Sequence, residues 1–221
     1  LYMPSNMVVC LSGAVDHDEA VAMVEKYFPM EAKERDRKMA NLIEGIGSEE
    51  RVSLQKKNTE QSHLVCGVKA VAAEHEDYYA HKVLAAVLGG NMSSRMFQVV
   101  REEKGLAYYI SCGVESYLDT GTFYTRAGVN VDQIDDAITG IIEEYDKVRL
   151  VDVPESELKK AKEFLKGTMT LALEDSETLG QLLARHELLY GEVKTFKDIS
   201  ALIDAVTVED LKRVAETLFT N

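Results

Sequence analysis

The stretch GGNMSSRMFQVVREEKGLAYY, Gly89 to Tyr109, decides how the rest of the chain is read. A glycine pair opens it, a segment with helical periodicity runs to about Lys104, and Gly105 stops that segment before an aromatic run. Glycine just past the last periodic residue is a helix stop. The segment therefore predicts helix, tight turn and strand, with Arg101 near the helix end and Tyr108 and Tyr109 at the strand start. Upstream, Glu74 to Leu88 predicts a helix whose Val83, Leu84, Val87 and Leu88 form one apolar stripe. Downstream, LAYYISCGVESYL and GTFYTRAGV predict a hairpin around DTG.

Working outward, RVSLQKK and SHLVCGVKAV are strand candidates, and everything after the hairpin predicts helices starting near Asp132, Pro154, Ser176, Thr195 and Thr207. Leu158, Ala161, Leu165, Thr168, Met169 and Ala172 give the long helix a side expected to face a sheet. Strands followed mostly by helices indicate an α+β domain, two-layered, with a largely antiparallel sheet covered by helices. Before this unit, NMVVCLS (6–12) reads as a buried strand, and DHDEAVAMVEKYF as a helix capped by Asp16. Residues 29–50 lose periodicity and read as a linker.

The chain ends suggest more. Leu1 is not a start methionine, so a piece of something longer is expected. In circular order, the closing TVEDLKRVAETLFTN and the opening LYMPSNMVVCLSG make a continuous helix–loop–strand unit. Residues 1–28 are thus expected to be the terminal strand and helix of a preceding similar unit, and 51–221 a domain lacking its last strand. The open edge left behind invites pairing. Residues 5–12 are expected to fill it, within one molecule or by exchange between two, since a linker of about 20 residues reaches up to about 65 Å.

Composition excludes several function classes. With 25 basic and 38 acidic residues among 221, the formal charge is −13. Phosphate neutralisation needs clustered Lys and Arg, so nucleic acid is not the expected partner. No apolar run approaches the ~20 residues of a membrane span. Cys10, Cys66 and Cys112 lie in apolar runs without paired spacing and are expected to be buried free thiols. The five histidines are His17, His63, His75, His81 and His186. His75 and His81, six apart, fall on different helix faces, and His186 beside Glu187 lacks a second histidine at ligand spacing, so neither pair reads as a zinc site.

The residues able to do chemistry cluster in the opening stretch. Arg101 and Tyr108 either donate hydrogen bonds to a ligand, or cap a helix end and pack on the sheet. Tyr109 competes with Tyr108, because neighbouring strand residues face opposite sides. LGGNMSSR lacks a phosphate-loop pattern and reads as a tight helix connection in which Ser93 or Ser94 caps the next helix. His63, on a strand candidate, either lines an interior or is a structural histidine.

YMPSNMVVCLSGAVDHDEAVAMVEKYF, the long block from LGGNMSSR to TRAGV, and RHELLYG together resemble the C-terminal segment of M16 metallopeptidases. That family includes mitochondrial processing peptidase, pitrilysin and insulin-degrading enzyme, and the bacterial and processing-peptidase-like branch is nearest. The resemblance covers essentially the whole chain and implies the processing-peptidase-like metallohydrolase fold. It also implies paired homologous units that make half of a hollow shell, two halves enclosing an extended peptide. Zinc is implied in a complementary unit bearing H-x-x-E-H, a pattern this chain lacks, so the chain alone is expected to be inactive and without a cofactor.

The resemblance further implies that Arg101 and Tyr108, at the family's seven-residue spacing, reach the substrate near that zinc. Ser94 and Arg95 match a motif near the same cavity. The implied function is the substrate-contacting segment of a zinc peptidase that hydrolyses peptide bonds; the alternative is a non-catalytic, peptide-binding subunit of a two-chain peptidase. A purely structural half-shell is disfavoured by retention of both Arg101 and Tyr108. The shell architecture implies a dimer, and the bacterial branch implies cytoplasm or periplasm.

Overall fold

The computed structural model describes residues 3–29 and 61–220, which fall into two compact units. The larger takes residues 61–166 and 202–220; the smaller takes residues 3–29 and 167–201. The strand candidate RVSLQKK and all of the expected linker except Pro29 lie outside the described residues.

The larger unit is built on three antiparallel strands, β1 (Gln61–Ala70), β2 (Ala107–Ser116) and β3 (Gly121–Asn130), in the order β1-β3-β2. The hairpin expected around DTG joins β2 to β3, closed by the Tyr117 N–H donating to the Thr120 carbonyl at 2.8 Å. Because side chains alternate along a strand, β3 sends Phe123, Thr125, Ala127 and Val129 to one face, all fully buried. Helices α2 (Tyr78–Gly89), α3 (Ile134–Leu150) and α7 (Val208–Leu218) cover that face. Tyr145 of α3 stacks on Phe219 with centroids 4.2 Å apart, and Phe123 meets both rings edge-on. Such pairs add about 0.5–1.5 kcal/mol beyond area burial. Within this core the Cys112 thiol and the Tyr145 phenol both hydrogen-bond Thr125 Oγ1. Burial pushes the Cys112 thiol up to about 12, so it stays protonated.

The helices start where their caps dictate. The Thr207 side chain accepts from the Asp210 N–H, and the Asp210 carboxylate accepts from the Thr207 N–H, a reciprocal box that opens α7. Gly89 lets α2 lie against β2, since a Cβ there would sit 2.3 Å from the Cys112 nitrogen. The antiparallel sheet under helices is the α+β architecture read from the sequence.

The smaller unit holds α1 (His17–Tyr27), the end of α4 (Glu155–Ala172), α5 (Ser176–Tyr190) and the start of α6 (Phe196–Ala205). Asp16 caps α1 as expected, accepting from the Asp18 and Glu19 N–H groups. Three expectations are corrected. Residues 6–12 form no strand and are half-buried to exposed. Cys10 is exposed rather than buried. On α4 burial is confined to Leu158 and Ala161, while Thr168 and Ala172 are exposed.

Candidate functional site

The helix before β2 widens. Residues Phe97–Glu103 form a π-helix, a rare geometry common at functional sites. It ends as the glycine stop demands. Gly105 takes φ +63°, and the Leu106 N–H donates back to the Val100 carbonyl at 3.0 Å. Met96 and Val100 are fully buried and anchor the helix. Arg101 therefore stands on the outer side. Its guanidinium lies over the Phe97 ring, 4.5 Å from the centroid, and its Nε is 3.6 Å from Glu102. Among the described residues it makes no bond to the helix's terminal carbonyls.

Strand β2 begins with an irregularity that the alternation rule misses. Ala107 pairs with Val129, yet Tyr109 pairs with Gly128, so two steps on β2 oppose one on β3 and Tyr108 is the inserted residue. A β-bulge re-aims side chains in this way. Ala107 and Ile110 both turn into the core at 9% and 6% exposure, leaving Tyr108 and Tyr109 both outside, at 62% and 39%. The two tyrosines do not face opposite sides as expected.

They differ in what holds them. Gly128 sits on the central strand between His63 of β1 and Tyr109 of β2, each its cross-strand partner. With no side chain at Gly128, the Tyr109 ring lies across it; a Cβ there would fall 2.4 Å from Tyr109 Cε1. The ring thereby reaches the far strand, where Tyr109 Oη and His63 Nδ1 share a 2.9 Å hydrogen bond. Tyr109 is thus latched flat on the sheet, while the Tyr108 phenol projects with no hydrogen bond to another described residue. No direct hydrogen bond joins it to Arg101.

Ser94 and Arg95 have scaffold partners instead. Ser94 is 3% exposed and its hydroxyl donates to the Asn91 carbonyl. Arg95 makes two 2.8 Å hydrogen bonds to the Glu157 carboxylate, tying this loop to α4. Asn91, rather than a serine, supplies the side-chain turn by accepting from the Ser93 N–H. The His63–Tyr109 latch was the feature sequence reasoning did not assemble: the Gly128 that permits it lies 19 residues from Tyr109 and 65 from His63 along the chain.

The histidines are dispersed. His81 is 3% exposed within α2, and burial lowers its pKa to about 4 despite nearby Asp77. His75 Nδ1 accepts the Asp77 N–H, and His186 Nδ1 accepts the Lys194 N–H. Among the described residues no three His, Cys, Asp or Glu side chains are grouped to hold a metal ion. No helix among them is long and apolar enough to cross a membrane.

Residues 1–165 match the family model described as the peptidase M16 inactive domain. An uncharacterized zinc protease of Bacillus subtilis is 35% identical over 219 residues, covering 99% of this chain and 53% of that protein. One of Streptomyces coelicolor is 34% identical over 219 residues, covering 97% of this chain and 48% of that protein. The chain thus spans about half the length of these curated relatives. In fold, the structure is similar to a protease of Helicobacter pylori with TM-score 0.78 at 23% identity, covering 94% of this chain and 51% of that one. It is also similar to a peptidase M16 inactive domain of Pseudomonas fluorescens with TM-score 0.64 at 19% identity, covering 72% and 38%. A helix stopped by Gly105, the strand that follows it and the match over residues 1–165 lead to one assignment: this chain belongs to the M16 peptidase family, as a copy of its inactive domain.

Proposed function

We propose that this chain is the substrate-contacting, zinc-free half of a zinc peptidase, with Arg101 and Tyr108 as the catalytic residues it contributes. The observation that carries this reading is the bulge at Tyr108, which leaves that phenol 62% exposed. On β2, whose ladder partner in the described sheet is β3, the inserted Tyr108 projects without a hydrogen-bond partner among the described residues. Arg101 adds a guanidinium that stays charged at any working pH and is steadied by Phe97 rather than spent on a buried ion pair.

Together the two groups supply hydrogen-bond donors for one peptide carbonyl. Their effect on rate depends on contacts that strengthen as negative charge develops on the carbonyl oxygen. The chain's own donor set does not fit zinc: its histidines never occur as H-x-x-E-H and are not clustered among the described residues. The metal, and the water attack it supports, would come from the other half. The names of the relatives, zinc proteases about twice this length, favour that half being in the same polypeptide over a separate partner subunit. In either arrangement Ser94 and Arg95 act as scaffold, holding the loop before the π-helix.

The test is turnover of a quenched fluorescent peptide by the peptidase assembly containing this chain. Loss of one preorganised oxyanion donor costs about 3–4 kcal/mol in other enzymes. Arg101→Ala and Tyr108→Phe are each expected to lower kcat/KM at least tenfold, mostly in kcat. Unchanged turnover in both variants would remove the assigned roles.

A further inference from the structure

The open face of the sheet continues beyond the Tyr109–His63 latch. One side-chain repeat along β3 from Gly128 stands Arg126, paired with Val65 on β1 and Ser111 on β2. Arg126 is exposed, and its Nε donates to Ser111 Oγ at 3.0 Å. That bond orients the guanidinium and leaves both terminal nitrogens without an ion pair among the described residues. Along strands β1–β3 the only carboxylate directed to this face is Glu115, four residues from Ser111 along β2, and it already accepts the Tyr117 hydroxyl at 2.8 Å. An oriented, unpaired arginine on an open face is notable in a chain of net charge −13.

Resting on the reading of Tyr108 as a peptide contact, we propose that Arg126 is a specificity residue that takes an Asp or Glu side chain of the bound peptide. Two residues of strand separate Gly128 from Arg126, about 7 Å at 3.3–3.4 Å per residue. An extended peptide advances at about the same rate, so the recognised carboxylate lies about two residues from the carbonyl at Tyr108. The guanidinium fork matches a carboxylate in geometry, and Val65, 68% exposed beside it, offers an apolar wall for the acidic side chain's methylenes.

The experiment compares matched peptides with blocked termini, carrying Glu, Gln or Lys two residues to either side of the scissile bond. They are cleaved by the assembly that contains this chain. The wild type is expected to favour Glu over Gln by about five- to tenfold in kcat/KM, chiefly through KM, the range of one charge-assisted bond at a partly exposed site. The preference should shrink in 1 M NaCl, where the screening length falls to about 3 Å. Arg126→Gln should abolish it, and Arg126→Glu should reverse it toward Lys. Ser111→Ala, which frees the guanidinium, should weaken it. Thermal midpoints accompany each variant, and Arg126→Gln carries the test if Arg126→Glu unfolds.

Identical Glu:Gln:Lys ratios in wild type and the Arg126 variants overturn the inference, even if Tyr108→Phe is crippled. A preference that follows Arg126 while Tyr108→Phe stays fully active supports Arg126 and removes the role of Tyr108. Failure to cleave any peptide overturns both.

Discussion

Replacing Gly128 by alanine tests the latch beside the candidate site. A new Cβ would lie 2.4 Å and 2.8 Å from Tyr109 Cε1 and Cδ1, and 2.6 Å from Gln61 Nε2. Carbon atoms pack best at about 3.5–4.0 Å, so the ring must move by more than 1 Å. Gln61 is a flexible side-chain end and gives way easily. Tyr109 cannot move without breaking its 2.9 Å bond to His63. That bond is worth about 1 kcal/mol net, and overpacking costs about 1–3 kcal/mol. Because the ring is at the surface and free to swing outward, the lower part of that range applies, about 1–2 kcal/mol in all.

The opposing effect is small: alanine is the better strand residue by about 0.5–1 kcal/mol. The net loss of about 0.5–1 kcal/mol in Gly128→Ala should therefore lower the thermal midpoint by about 1–4 °C, at about 2–4 °C per kcal/mol for a chain of this size. The decisive comparison uses Tyr109→Ala as background, where the clash is gone and the same alanine should cost nothing or stabilise. A coupling of about 1 kcal/mol between the two positions is expected from midpoints of the four proteins. An equal cost of Gly128→Ala in both backgrounds would show that the ring does not lie over Gly128.

Two further predictions concern the elements around the site. Gly105→Ala places a side chain at φ +63°, which costs about 1–2 kcal/mol; urea unfolding should report that loss, and no loss would mean that the helix stop is not left-handed. His81 is held neutral in the folded chain down to about pH 4, against 6.5 when unfolded. The unfolded chain therefore binds the extra proton between those values, and stability should fall as pH drops from about 6.5 to about 4, by up to about 3 kcal/mol. Asp77 and Asp210, whose carboxyls are held below their usual 3.8 with Arg213 bonded to both, add their own loss only at lower pH. His81→Leu should flatten the 4–6.5 window in urea titrations; an unchanged slope would exclude His81 as the source.

Local chemistry made much of this fold legible. Asp16 and Thr207 cap helices because short polar side chains satisfy free N–H groups. Gly105 ends a helix because it alone tolerates the left-handed turn. The bulge at Tyr108 was not legible, since the sequence there reads Ala-Tyr-Tyr-Ile with no glycine to mark it. Its cause is tertiary: Ala107 and Ile110 both find core space, and two residues must bridge one step of β3. The apolar run at 6–12 failed as a strand for a related reason, because a strand exists only where ladder partners are available. Thr168 and Ala172 failed likewise, since a periodic stripe is buried only where something packs on it. The spacing of Arg101 and Tyr108 alone leaves a helix cap and sheet packing open, and the resemblance to M16 peptidases singles them out, whereas Arg126 stands out only from register.

The most direct measurement is a structure of the peptide-bound assembly containing this chain, with an uncleavable peptide in place. The distances to read are from Tyr108 Oη and from the Arg101 guanidinium to the nearest peptide carbonyl oxygen. Both groups are expected within about 3.2 Å of the same carbonyl. A peptide seated with both groups beyond about 6 Å, too far even for one bridging water, would contradict a role in contacting substrate.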